Sequence, residues 1–511
     1  MKNHKFLDKP DCITKILPIN YMNHFLRRIS ALFLYFSPLI VCLVLAVSCR
    51  TIEGDGTLKF ATFNNEGEYI LDSELTITFD TVFTSIGSIT RHFTVHNTSN
   101  QEITTDIFLV GGKNSFYSIN VNGVSGTSFK NITIPKKDSI FIFIKVNIDP
   151  KNQNNPFLVT DDIMFITGSN EQHVRLVAYG QDARYIIADQ GPDNLRYKVV
   201  AGEGETVTWT KDRPYVVYGW AVVDSSGKLI IEPGTRIYFH NNSGLWAYRY
   251  STLEINGTLE EPVLLRGDRL EKWFDEDYAQ WHKIWINEGV DANINYAVIT
   301  NAFIGIHVDP LVTDNSITVT PNVVKIENTI IKNTHSSGVL SRLLNVDMTN
   351  CLITNNGGAS LQLEGGDYNI KHVTVANFFK AERKNPACYV SNKISDPLFS
   401  ALPPIDTKAD FVNCIIFGRV ETEVYVNKDN GAKLEASFQN CLVKAKDHSS
   451  NFIDCIRNED PKFVDVSKLN FQLQPGSPAI GKGKSNVGVL SDILGIPRGD
   501  KPDIGAYQSG R

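Results

Sequence analysis

Two rhythms of apolar and polar side chains divide the chain. Between residues 75 and 178, short stretches alternate with a period of two. They are Leu75-Thr-Ile-Thr-Phe79, Ile89-Thr-Arg-His-Phe-Thr-Val95, Thr105-Asp-Ile-Phe-Leu109, Ile132-Thr-Ile134, Ser139-Ile-Phe-Ile-Phe-Ile-Lys-Val146 and His173-Val-Arg-Leu-Val-Ala178. Alternation sends successive side chains to opposite faces, so each stretch predicts a half-buried strand. Turn clusters such as Asn97-Thr-Ser-Asn100 and Asn152-Gln-Asn-Asn155 separate them. Several such strands between turns predict a β-sandwich over 71–185.

Further on, the chain repeats a phrase: one polar residue, usually Asn, then a short aliphatic run. It reads Asn295-Tyr-Ala-Val-Ile299, Asn328-Thr-Ile-Ile331, Asn350-Cys-Leu-Ile353, His372-Val-Thr-Val375, Asn413-Cys-Ile-Ile416 and Asn440-Cys-Leu-Val443. Thr329, Cys351 and Val373 fall at a spacing of 22. Such runs are too short for helices and suit buried parallel strands. One short strand per phrase, at a period in the low twenties, is the pattern of a solenoid. Earlier coils are announced by Leu229-Ile-Ile-Glu-Pro-Gly-Thr-Arg-Ile237 and Leu253-Glu-Ile-Asn-Gly-Thr-Leu259. The expected fold class is therefore all-β: an N-terminal sandwich, immunoglobulin-like in architecture only, followed by a right-handed parallel β-helix over 186–511. Charged residues near 268–280 and a Pro-containing stretch near 380–410 are expected to loop out of the stack.

Residues 29–48 are a continuous apolar run preceded by Arg27-Arg28 and followed by Cys49. A basic start, an apolar centre and small residues before a cut describe a secretory signal over 1–48, with Met22 as the expected start. An uncleaved membrane anchor is the alternative, because a run of this length can span a bilayer. The tail Leu45-Ala-Val-Ser-Cys49 resembles a bacterial lipobox, which implies acylation at Cys49, a tether over 49–70 and a membrane as partner through the lipid. Export follows, to the outer membrane or cell surface, with the periplasm-facing leaflet left open.

The end of the chain carries a second resemblance. Asp460-Pro-Lys-Phe-Val-Asp465, Phe471-Gln-Leu-Gln-Pro-Gly-Ser-Pro-Ala-Ile480 and Asp503-Ile-Gly-Ala-Tyr507 are similar to the closing segment of secreted β-helix proteins of the pectin-lyase-like superfamily. Together with the coils, the resemblance covers roughly 186–508. Combined with a lipobox and a sandwich, it looks like the surface lipoproteins of Bacteroidetes-type bacteria. The short triplets Asp80-Thr-Val82 and Asp138-Ser-Ile140 fit the O-glycosylation sequence of that group. Enzymes of the superfamily bind or cleave polysaccharides along the coil face, and fold alone does not transfer that activity.

Composition adds exclusions. The 511 residues are 42% hydrophobic with a formal net charge of −6 and no block of like charges. That supports a substantial core and argues against nucleic acid as a partner. Eight Cys occur without a CxxC pair, so zinc-ribbon and redox motifs have no support. Cys351, Cys414 and Cys441 share one slot of the repeat, which predicts a file of small side chains inside the coils; a disulfide between neighbouring coils stays open.

Candidate chemistry is sparse. Of the paired-Asp signatures that the resemblance implies for glycoside hydrolases, only Asp161-Asp162 matches, and it falls in the sandwich. A lyase would need a basic residue to take a proton, and often Ca²⁺ held by carboxylates. Lys371, His372 and Arg383, with Glu364-Gly-Gly-Asp367, are the candidates; each also suits a solvated face, a turn or a corner. No cofactor is expected, Ca²⁺ entering under the lyase alternative alone. Trp246, Tyr248 and Tyr250 alternate, so they are expected on one strand face, with Trp281 and Trp285 nearby as further sugar-stacking candidates. The leading expectation is binding of an extended glycan or partner surface without catalysis. A polysaccharide lyase or hydrolase, and a structural or adhesive envelope scaffold, are the alternatives.

Overall fold

The computed structural model describes residues 56–63, 69–84, 87–150, 157–313, 316–317, 322–446 and 450–509. The apolar run over 1–48 and Cys49 lie outside the described residues.

The alternating half folds into two facing sheets. One holds, in spatial order, Tyr69–Asp72, Lys59–Phe63, Arg91–His96, Ser139–Val146, Tyr117–Val121 and Val124–Gly126. The other holds Leu75–Phe83, Asn170–Gln181, Phe157–Thr167, Ile103–Leu109 and Ser128–Ile134. Leu75–Phe83 runs parallel to Asn170–Gln181, and the remaining pairs are antiparallel. Period-two burial is clearest in Ser139–Val146, where Ile140, Ile142, Ile144 and Val146 are buried while Phe141 and Phe143 face out. Part of the stretch expected as a tether, 49–70, folds into the sandwich instead. Lys59–Phe63 joins the sandwich because Leu58 and Phe60 bury their side chains in its core.

From Arg184 the chain winds through three parallel sheets in turn, and this is a parallel β-helix. Among the described residues the first sheet has 11 strands, from Arg184–Ile187 to Ile456–Arg457. The second has 9, from Tyr197–Ala201 to Val424–Asn427, and the third has 10, from Thr206–Trp209 to Phe452–Ile453. One unbroken apolar column fills the interior, with Leu229, Ile255, Ile294, Ile326, Met348 and Ile370 among its buried members.

The repeated Asn marks a corner. Asn328, Asn350, Asn413 and Asn440 have φ of 48°, 54°, 57° and 50°, and His372 in the same slot has 52°. Asn tolerates this left-handed geometry better than most residues. Its amide also links coils: Asn350 Nδ2 donates to Asn328 Oδ1 at 3.2 Å, and Asn328 Nδ2 to Asn295 Oδ1 at 2.9 Å. Register aligns Ile330, Leu352, Thr374, Ile415, Leu442 and Ile456, so the preceding residues Thr329, Cys351, Val373, Cys414, Cys441 and Cys455 form one file. All five cysteines among the described residues are free thiols.

The stretch near 380–410 does not leave the stack as a whole. Cys388–Ser391 is a strand of the second sheet between Leu361–Glu364 and Val424–Asn427, with Cys388 and Val390 buried. The chain departs on either side of it. The closing segment lies outside the first sheet: Phe463, Phe471, Leu473 and Ala479 pack on Leu352, Ala376, Ile415 and Leu442. Arg498 caps the Asn corner by donating to Asn350 Oδ1 at 2.8 Å.

Candidate functional site

The second sheet carries the densest chemistry. Its register places Trp246, Trp285, His307, Leu340 and Gln362 in one outward file. Two residues beyond His307, Leu340 and Gln362 along their strands come Asp309, Arg342 and Glu364. The same parallel pairing that stacks core aliphatics on the inner face therefore stacks these side chains on the outer one.

Lys283 lies at the head of a hydrogen-bonded chain. Its Nζ is 2.8 Å from His307 Nδ1, and His307 Nε2 is 3.1 Å from Asp309 Oδ2. With the ammonium donating to Nδ1, the Nε2–H donates to the carboxylate. Trp285 Nε1 donates to Asp309 Oδ1 at 2.6 Å. Arg342 then bonds Glu364 at 3.2 Å and Asp396 at 2.9 Å, with Asp309 at 3.8 Å. Glu364 also accepts from Gln362 at 2.8 Å and from Ser395 at 2.6 Å. Glu364, Asp309, His307 and Arg342 are buried.

Burial sets the protonation. It pushes Lys283 down to about 8, against the pull of Asp309, with Arg342 acting in the same direction as burial. It lowers His307 as well, against Asp309, so the ring is neutral near pH 7. Burial works against the Asp309 carboxylate, but His307, Trp285 and Lys283 together hold it below the ordinary value. His282 is carried down to about 4 by burial and by neighbouring Lys283.

Above Lys283 opens a cleft of about 510 Å³, lined by Trp220, Trp285, His282, Lys283, Arg196 and Asn241 among others. Lys283 Nζ stands 4.3 Å over the Trp285 ring. Trp285 stacks on Trp246 at 4.6 Å and 14°, and meets Trp220 at 5.9 Å and 61°. The cleft thus joins a partly exposed indole to hydrogen-bonding groups at its rim, which is what a sugar ring requires.

Of the residues expected from the sequence, Trp246, Tyr248 and Trp285 come together here, Tyr248 meeting Trp246 edge-on at 5.5 Å. Tyr250 does not share their face. The strand ends at Ala247, and Tyr250 turns away at φ 63° against Gly289. Trp281 is inside the coil, 1% exposed, stacked on Phe239 at 4.3 Å and donating to the Thr300 carbonyl at 2.7 Å.

The basic candidates do not assemble into a site. His372 is wholly buried at the corner, 2.9 Å from Asn413 Nδ2, and burial with nearby Arg498 lowers it to about 3. Arg383 is buried against Glu423 at 2.6 Å, on the connection from the first sheet to the second rather than at His372's corner. Lys371 is half-buried at the end of its third-sheet strand. Glu364 belongs to the Arg342 network, whereas Asp367 faces outward from the third sheet. Asp161 accepts from the Gly111 N–H and the Ser115 hydroxyl, and Asp162 pairs with Arg175 at 3.0 Å, so that pair is structural. Among the described residues no group of three or more His, Cys, Asp or Glu is placed to hold a metal.

Sequence reasoning missed Trp220, Lys283, His307 and Arg342. The signal was present in part: Lys283 stands within Trp281-His-Lys-Ile-Trp-Ile286, and Trp220-Ala221 shares its Trp-Ala step with Trp246-Ala247.

No protein-family model and no curated protein matches the chain. Among solved structures, it is similar over 22% of its length to a family 123 glycoside hydrolase from Clostridium perfringens, at 6% identity and TM-score 0.16, spanning 26% of that chain. It is similar over 25% to the PapD-like domain 7 of human CEP192, at 14% identity and TM-score 0.15, spanning 85% of that chain. It is similar over 24% to the CooA pilin subunit of enterotoxigenic Escherichia coli, at 11% identity and TM-score 0.17, spanning 98% of that chain.

Proposed function

We propose that this chain is an exported, lipid-anchored envelope protein of the pectin-lyase-like kind, whose β-helix binds an extended glycan in the Trp220–Trp285 cleft without cleaving it. The observation that carries this reading is Lys283 perched over a partly exposed Trp285 at the mouth of a cleft. An aromatic face stacks on a sugar's C–H face, and the ammonium and rim amides donate to its hydroxyls. The carboxylates below are engaged by Arg342, His307, Trp285 and Ser395, so none is free to act as one of a hydrolase's acid–base pair. The test is affinity electrophoresis of the ectodomain through gels of xylan, mannan, polygalacturonate and hyaluronan. Retention by one of these, lost in Trp285→Ala and Lys283→Met, is the expected result; wild-type chain retained by none of them overturns the reading.

A second reading is favoured by one observation, the Lys283 value of about 8, which suits a proton acceptor near neutrality. Under it the protein is a lyase and releases unsaturated ends from the retained polymer. Their appearance with wild-type chain and absence with Lys283→Met would replace binding by cleavage. The anchor is tested separately: acyl labelling that persists in Cys49→Ser refutes lipidation there.

A further inference from the structure

The rings of the cleft do not end at its rim. Trp220 meets His282 at 5.3 Å between centroids, and His282 meets Phe303 at 5.7 Å. Phe303 stacks on His335 at 4.8 Å and 28°. Tyr278, from the insertion, meets both His335 and Phe379 at 5.3 Å. The row occupies the corner between the first and second sheets. Phe303 lies between Ala297–Thr300 and Ile306–Val308, and His335 between Ile330–Thr334 and Val339–Arg342. In the next coil that corner holds Gly357, where a Cβ would stand 2.1 Å from the His335 carbonyl oxygen; the Phe379 ring reaches within 3.4 Å of the same point.

The exposure of these rings needs a reason. Phe303 is 39% and Tyr278 42% exposed, and His335 is exposed too. Phe239 and Trp281, by contrast, turn inward and are buried. His282, Phe303 and His335 come from successive coils, about 4.8 Å apart along the axis, close to the repeat of one extended sugar unit.

We propose that this row is a second stretch of the carbohydrate track. A glycan seated in the cleft continues parallel to the helix axis over Phe303, His335 and Tyr278, so the protein reads chain length. This rests on the cleft being a glycan site, and it adds the direction and extent of the bound polymer. Continuity with the cleft through His282 is what commits the row to a glycan rather than to a protein partner.

The test uses the full ectodomain and the disaccharide and octasaccharide of whichever gel polymer retains it, titrated by calorimetry. In Phe303→Ala/His335→Ala the octasaccharide is expected to bind about tenfold more weakly, from two lost stacking contacts, with the disaccharide unchanged. Phe303→Tyr keeps a ring and is expected to retain octasaccharide affinity, which separates stacking from a folding defect. Equal affinity of the double variant and wild type for the octasaccharide overturns the track while leaving the cleft intact. A double variant that instead changes sedimentation from dimer to monomer overturns it in favour of a second copy of this chain. Loss of the disaccharide in Trp285→Ala, with the track variants as described, is the full expected pattern; a wild-type chain that binds neither sugar overturns both readings together.

Discussion

Replacing Lys283 by Met should make the protein more stable while removing the glycan binding proposed for the cleft. The ordinary lysine value is 10.5, and burial holds Lys283 at about 8. At about 1.4 kcal/mol for each tenfold change in proton affinity, keeping this ammonium charged at neutral pH costs about 3 kcal/mol. Two effects reduce the gain on substitution. The cleft admits water that screens part of the penalty, and Met forfeits the 2.8 Å contact with His307, worth about 1 kcal/mol. Met keeps the packing over Trp285, because its unbranched chain follows much of the lysine stem. A net gain of about 1–1.5 kcal/mol remains, to be read as a higher urea midpoint at pH 7 with unchanged slope. The pH dependence supplies an independent arm. Between pH 8 and 10.5 the unfolded wild type holds a proton that the folded state has released, so wild-type stability rises with pH there. The variant lacks that term, so the gap between the two proteins should close across this window. A lower midpoint for Lys283→Met at pH 7, or a gap that ignores pH, would show that the ammonium is a structural counter-charge to Asp309 and Glu364. The reasoning from burial to function would then fail.

Three further outcomes follow from groups outside the cleft. His372→Asn should lessen acid sensitivity: the histidine, ordinarily at 6.5, is held at about 3, so its contribution is full above 6.5 and is lost as pH falls towards 3. Thermal scans at pH 7 and pH 4 should show a smaller drop for the variant, and an equal drop refutes the assignment. Arg383→Met leaves Glu423 buried beside no cation and should cost about 3–5 kcal/mol, visible as a large fall in urea midpoint; a change near zero would mean that the pair is solvated. Among the β-helix thiols, Cys455 should be alkylated first, because the Cys441 thiol beside it lowers its value and it is half-buried, whereas burial pushes Cys351 up to about 12. Peptide mapping after brief alkylation checks this, and equal labelling of Cys351 contradicts it.

Why the architecture was legible in the sequence, and the site was not, can be argued from two files of residues. The Asn corner is a local instruction. Each Asn selects a left-handed turn for its own coil, and the next amide in the ladder comes from the adjacent coil at the same slot. Both facts repeat along the chain, so they show as a phrase. The file Trp246, Trp285, His307, Leu340 is as regular in space, since each member pairs directly with the next. Along the chain it is irregular. The insertion holding Tyr278 lengthens the coil between Trp246 and Trp285, and the excursion after Asp309 lengthens the coil between His307 and Leu340. Apart from the two Trp, no residue type recurs in the file, and the side chains on this face answer to different neighbours: an indole to an ammonium, an imidazole to a carboxylate, and, two residues beyond Leu340, a guanidinium to two more.

The same contrast explains the misplaced candidates. His372 stood out in the sequence because it broke the Asn phrase, yet the break is a substitution within a structural role: the ring sits where an amide would and bonds Asn413 as an amide would. Trp281 stood out as a tryptophan, but it precedes the strand Ile284–Ile286 and turns into the coil against Phe239. Insertions are what bring chemistry to this solenoid. A coil lengthened by Leu270–Tyr278 delivers Tyr278 to the ring row, and the chain leaving after Ser391 delivers Ser395 and Asp396 to Glu364 and Arg342. In a stack held together by uniform coils, a residue that departs from the period costs packing regularity, and the departures here converge on one face. That convergence, rather than any single motif, is the reason to look for the ligand on the second sheet and its corner with the first.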